Sequence, residues 1–284
     1  MSFRINYKLK NPNEIAPWGE ETKSLSWFGL TDGLLWITAG RDTLYEYADT
    51  EQAADFWRSL YTEQGLTPPD DDRLLYPRYN DYQLARFAED FFGILPWVAQ
   101  SVPEPLYRSI GSFQAMTDKW LANYEARGDE VFDSFFDNMY EPLAEWYRRR
   151  TFDSGHLLGG PDIGFFRCGE KLSMVWQSGT QLPDGGSIWT SPCGVYEMDY
   201  DRFVSETAAF YHSFIRDMGD TVALVAATGL EGINIDTALL VREQQLRAET
   251  FSGIADILFD HKGSDTDWNM VCELFDLMKS EISD

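Results

Sequence analysis

The chain has 284 residues, 44% of them hydrophobic and 15% aromatic, with 47 acidic against 23 basic side chains and a formal net charge of -24. So much apolar and aromatic material excludes a disordered chain, because disorder needs low hydrophobicity beside high charge. The acidic excess repels nucleic acid and anionic membrane, exceeds the net charge of about 2–8 that solubility asks of a small domain, and points to a basic protein partner.

Residues 1–50 read as a β-meander. Phe3, Ile5, Tyr7 and Leu9 alternate with polar residues, as in a half-buried strand. Apolar runs at 27–30 and 34–37 flank Thr31-Asp32-Gly33, and Asp-Gly between such runs predicts a hairpin. A short third strand is expected over 43–47.

Residues 51–150 take the helical period. Phe56, Trp57, Leu60 and Tyr61 share a face, Pro68-Pro69 and Asp70-Asp71-Asp72 make a loop, and Leu84, Phe87, Ala88, Phe91 and Phe92 resume the pattern. After Pro103 and Pro105, Ile110, Phe113, Met116, Trp120, Leu121 and Tyr124 recur at three- and four-residue steps. Asp129 is a candidate N-cap for the next helix, and Pro142 should kink that helix or start a new one.

Residues 151–284 return to β and then α. A hairpin is expected over 165–177 around Gly169-Glu170, with strands near 186–190 and 194–197. Asp199 or Asp201 starts a helix whose Phe203, Thr207, Phe210, Tyr211, Phe214 and Met218 form one face. The apolar stretch 221–228 reads as a buried strand or helix turn. Asp236 precedes a helix over 239–259, and Asp265 precedes a last one carrying Trp268, Val271, Phe275, Met278 and Ile282. The fold class is α+β: small antiparallel sheets in the N- and C-terminal parts around a helical middle, in one compact unit.

The chemistry-bearing residues form few patterns. Asp129, Asp133, Asp137 and Glu141 stand four apart, about 6 Å per step along one side of a helix, and like charges so spaced oppose the helix by ~0.2–0.5 kcal/mol per pair. With Asp70, Asp71 and Asp72 they are the candidate partner-binding acids; as a solvated helix face they would do nothing more. His156 beside Gly159-Gly160-Pro161-Asp162 could be a general base oriented by Asp162, or Asp162 could cap a turn. His212 and His261 lie apart, His212 reading as a core or boundary residue, and no metal site is expected. Cys168, Cys193 and Cys272 read as free, buried thiols. Trp18, Trp27, Trp36 and Trp176 read as packing, with an exposed cluster the sign of a sugar or peptide face. Arg148-Arg149-Arg150 suits the negative end of a helix. No phosphate loop, nucleophile elbow or cysteine-protease signature occurs, so no catalytic residue and no cofactor is assigned. The start Met1-Ser2-Phe3-Arg4 lacks the apolar run of about 7–15 residues of a signal peptide and no stretch approaches the ~20 apolar residues of a membrane span, so a cytoplasmic protein is expected.

Several phrases resemble an uncharacterised bacterial family, a domain of unknown function. They are Ala16-Pro17-Trp18-Gly19, Leu25-Ser26-Trp27-Phe28-Gly29-Leu30-Thr31-Asp32-Gly33 with Trp36-Ile37, Gly160-Pro161-Asp162-Ile163 with Phe166-Arg167, Val175-Trp176, and Pro192-Cys193-Gly194. The resemblance covers both ends and fits the middle loosely. It implies a companion of polymorphic toxins, where acidic immunity proteins are common, and it carries over no catalytic residue. With the charge, it makes the chain's expected role a cytoplasmic immunity protein that neutralises a cognate basic toxin domain by direct contact, without nucleic acid or membrane. The alternatives are a hydrolase using paired carboxylates such as Asp199 and Asp201 or Glu89 and Asp90, and an acidic housekeeping or scaffold protein.

Overall fold

The computed structural model describes residues 2–71, 74–157, 159–179, 182, 185–259 and 266–283. The fold is α+β, with two small antiparallel sheets among ten helices of the described residues.

Strand β1 (Ser2–Leu9) pairs along its whole length with β2 (Asp32–Gly40). The other edge of β2 takes β3 (Asp42–Leu44) at Ile37–Ala39 and β4 (Asn80–Gln83) at Asp32–Leu35. The hairpin expected at Thr31-Asp32-Gly33 is not formed. Gly29–Thr31 is a 3-10 turn, and Asp32 already opens β2. Gly33 serves close approach instead, since a Cβ there would stand 2.5 Å from the Lys8 carbonyl oxygen. The turn into β3 is made one strand later by Gly40, whose φ is +67°. β4 (Asn-Asp-Tyr-Gln) lies within the stretch read as helical; its polar residues give no alternation to betray a strand.

Helix α1 (Glu51–Glu63) precedes β4, and α2 (Leu84–Val98) follows it at once. The short α3 (Glu104–Tyr107) leads to α4 (Ile110–Glu125) and α5 (Asp129–Phe135). The interruption expected at Pro142 takes the form of a π-helical turn, Phe136–Tyr140, before α6 (Glu141–Arg148). Pro142 has no amide to offer the preceding turn, so the helical ladder is re-registered there. Gly128, with φ +98°, occupies the N-cap position of α5, and Asp129 is the first helical residue rather than the cap.

The second sheet runs in the order β5 (Thr151–Phe152), β6 (Asp162–Cys168), β7 (Lys171–Gln177), β8 (Cys193–Asp199). The hairpin around Gly169-Glu170 is present, whereas 186–190 forms no strand and contributes a single isolated bridge, Trp189 to Tyr47. Helix α7 (Tyr200–Thr228) absorbs the apolar stretch 221–228. The helix expected over 239–259 is two, α8 (Thr237–Ser252) and α9 (Ile254–Phe259), divided at Gly253. Asp236 caps α8 through the Leu239 amide at 2.9 Å, and the chain ends in α10 (Trp268–Ser283). Asp265, read as preceding the last helix, lies outside the described residues.

The two faces of the second sheet serve two cores. Ile163, Phe165, Leu172, Met174 and Trp176 join the first sheet, α2, α7, α8 and α9. Phe166 and Val175 point the other way, into a core made by α4, α5, α6 and α10. In the first core Phe91 meets Phe165 at 5.2 Å and Phe3 meets Phe203 at 5.8 Å between ring centroids. In the second, Phe113 stacks on Tyr147 at 4.9 Å, and Glu281 of α10 accepts from Trp120 Nε1 and the Tyr124 hydroxyl of α4. Two buried arginines brace the junction. Arg167 donates to the carbonyls of Ala99 and Gly169 under the Tyr200 ring, and Arg150 donates to the Trp146 carbonyl and to Gln100. Burial pulls the Arg150 guanidinium down to about 10, and no carboxylate among the described residues pairs with it.

Gly194 on β8 lies flat against the Trp176 indole, which is 2% exposed and held by Nε1 donating to the Ser191 carbonyl at 3.1 Å. A Cβ at this position would overlap the ring. Gly194→Ala is therefore expected to lower unfolding stability by about 1–3 kcal/mol, read from the urea midpoint at unchanged slope.

Candidate functional site

The acidic ladder lies on the lobe built by α4, α5 and α6. Asp129, Asp133 and Asp137 are exposed and have no ion pair among the described residues. Glu141 is half-buried and pairs with Arg148, so the fourth rung is neutralised within the chain. The π-helical turn carries Asp137, so the regular four-residue step breaks between Asp133 and Glu141. Asp70 and Asp71 belong to the loop between α1 and β4, not to the helices that carry the ladder. Asp72 lies outside the described residues.

The histidine and carboxylate pairs read from the sequence are not assembled. Asp162 accepts from the Ser154 amide at 3.1 Å, a local cap. His156 instead rests on the Tyr82 ring with centroids 4.9 Å apart, where burial lowers its basicity. His212 is exposed on α7 rather than in the core or at its boundary, and His261 lies outside the described residues. Asp199 pairs with Lys171, Glu89 with Arg247 and Asp90 with Arg86, all near solvent. Asp201 sits exposed in the first turn of α7. The cysteines are free, but none is buried as expected: Cys168 and Cys272 are partly exposed and Cys193 is exposed. Trp27 and Trp176 are core residues, Trp36 stacks on Tyr79 at 4.2 Å, and Trp18 is 46% exposed beside Phe28. Arg150 does bind a last-turn carbonyl, as expected of the arginine run, while Arg148 and Arg149 pair with Glu141 and Glu145.

What the sequence did not disclose is a cleft of about 460 Å³ between α4, α6 and the sheet strands β5, β6 and β7. Its floor is apolar, from Ile110, Phe113, Ala144 and Val175, and its rim is polar. Three carboxylates face it: Asp118 from α4, Asp153 after β5 and Asp162 at the start of β6. Burial pushes the carboxyl of Asp118 above its ordinary value. Burial does the same to Asp162, outweighing the Ser154 amide bond, with the neighbouring Asp153 charge adding to the rise. Tyr147 is pushed up to about 12 by burial and then by Asp162, so its hydroxyl stays a donor. The cation that lines the cleft, Arg148, is already engaged by Glu141. These acids lie far apart in sequence, so no spacing rule could have gathered them; they meet because Phe166 and Val175 draw the helical lobe onto the sheet. No group of three metal-ligating side chains is found among the described residues.

A family model covers residues 4–274, most of the chain. The chain belongs to the family described as a family of unknown function, DUF5984. No curated protein and no solved structure matches it. Among the described residues no helix is long and apolar enough to cross a membrane.

The Asp118 carboxyl gives a pH test of the cleft. Its folded value stands above 3.8, so ionisation is costlier in the folded chain than in the unfolded one. That cost is absent below 3.8 and complete above the raised folded value. Asp118→Asn is expected to stabilise the protein modestly at neutral pH, with the gain vanishing as the pH falls below 3.8, as measured by urea unfolding across the acid range.

Proposed function

We propose that this member of the family is an acidic immunity-type protein that works in the cytoplasm and neutralises a basic toxin domain by direct contact through the helical lobe. The observation that carries this reading is the state of the charges on that lobe. Asp129, Asp133 and Asp137 face solvent with no ion pair among the described residues. Nearby cations are turned elsewhere: Lys119 donates to the Ile282 carbonyl at 2.5 Å, and Arg127 lies over the Tyr124 ring at 4.0 Å. Acids left uncompensated in a chain of net charge -24 cost stability by self-repulsion, and a basic partner removes that cost on binding. A surface of this kind steers a cationic domain into fast, salt-sensitive encounter. Occlusion of a toxin needs no catalytic group, and among the carboxylates considered for hydrolysis Asp199, Glu89 and Asp90 are each held by a cation.

The test is co-expression with the product of the adjacent gene, followed by affinity measurement at low and high salt. A stoichiometric complex weakened by salt is expected. Exposed pairs are worth about 0.5 kcal/mol each, so Asp129→Asn, Asp133→Asn and Asp137→Asn together should weaken binding by roughly tenfold at low salt without unfolding the chain. An affinity that ignores both salt and the triple substitution contradicts the reading.

A further inference from the structure

We propose that the cleft between α4, α6 and the second sheet is a binding site for an organic cation, a guanidinium or ammonium group carried on an apolar stem. The cavity, about 460 Å³, falls in the range of pockets that enclose small ligands. Its floor of Ile110, Phe113, Ala144 and Val175 matches the stem, and the acids stand at the rim where a charged head would rest. Asp118, Asp153 and Asp162 have no ion pair among the described residues, and Arg148 is held by Glu141, so the cleft is anionic on balance. An anion would meet three carboxylates. A neutral polyol would bury charge that nothing offsets, and charge buried without a partner is costly. A metal ion is disfavoured, because the three acids do not close into a metal-holding group. A cation offsets that charge, and its hydrogen bonds to the three exposed carboxylates are of the strong, charge-assisted kind.

The walls are rigid enough to select. Tyr147 is pinned between Phe113, stacked at 4.9 Å, and Phe166 at 4.6 Å. Gly164 lets the Phe166 ring lie against the strand, since a Cβ there would overlap it. The same chemistry has two sources, a free amine or guanidine and the arginine or lysine side chain of a protein. Asp129, Asp133 and Asp137 do not line the cleft, so the immunity reading and this one can fail separately.

The experiment is calorimetric titration of the full chain with agmatine, with acetyl-Gly-Arg-Gly-amide, and with the same peptide carrying uncharged citrulline in place of arginine. One-to-one binding of a cationic probe is expected, with the citrulline peptide at least about tenfold weaker, the size of one charge-assisted hydrogen bond. Asp118→Asn and Asp162→Asn should each weaken binding several-fold; asparagine at 162 can still accept from the Ser154 amide and so keep the loop. Ala115→Trp, on an exposed position at the mouth, should abolish binding without touching the core. Asp133→Asn should leave it unchanged. Tighter binding of the peptide than of agmatine assigns the site to a protein side chain, and the reverse assigns it to a free amine. No binding of either cation, equal binding of the citrulline peptide, or indifference to both cleft asparagines and to the tryptophan overturns the proposal.

Discussion

Along β6 and β7 successive side chains enter different cores. Ile163 and Phe165 enter one and Phe166 the other; Leu172, Met174 and Trp176 enter the first and Val175 the second. A strand has one register that satisfies this, because a slip of one residue would send every side chain to the wrong face. Each large apolar side chain so buried contributes roughly 1.5–3 kcal/mol, and the two cores draw on the same pair of strands for it. Neither the first sheet with α7 nor the helical lobe with α10 therefore has a complete core alone. The remaining devices reinforce the shared sheet: Arg167 ties it to the end of α2, and Tyr45 reaches Ser154 with a buried bond of 2.6 Å between hydroxyls. Tyr45 holds a φ of +62°, a strained conformation that this enclosure maintains.

The same alternation explains where the cleft lies. On the lobe-facing side of the sheet Thr151, Gly164 and Val175 line the cleft beneath α4 and α6, and the Phe166 ring lies over Gly164. Into that space face acids from three separate segments. A chain with net charge -24 places many of its cations in internal pairs, such as Arg78 with Glu46 and Lys171 with Asp199 between segments and Arg108 with Glu104 within one turn. Asp129, Asp133 and Asp137 of the lobe and Asp118, Asp153 and Asp162 of the cleft are among the acids that have no ion pair among the described residues.

The sequence disclosed the elements whose signal is carried by local alternation. β1, the β6–β7 hairpin and the long face of α7 were legible because Phe3, Ile5, Phe203, Phe210 and Phe214 recur at the period of their element. It misled where one residue type serves two ends. Asp32-Gly33 has the composition of a turn, yet Gly33 is there for the Lys8 carbonyl, a contact between strands that no local pattern shows. It was silent where pairing is decided across the chain, as for the polar β4 against β2. The acidic ladder was legible as a pattern, and its outward face is as expected, but the pairing of Glu141 with Arg148 seven residues on was not. The cleft was illegible altogether, since Asp118, Asp153 and Asp162 are assembled by tertiary packing.

The sharing of one sheet by two cores is tested most directly by native-state hydrogen exchange in rising urea. If both cores depend on it, the amides of Ile163, Phe165, Leu172 and Met174 exchange with the free energy of global unfolding, and the buried amides of α4 and α10 merge with them into one transition. Release of the helical lobe in a separate, lower transition, with the sheet still protected, would contradict that dependence.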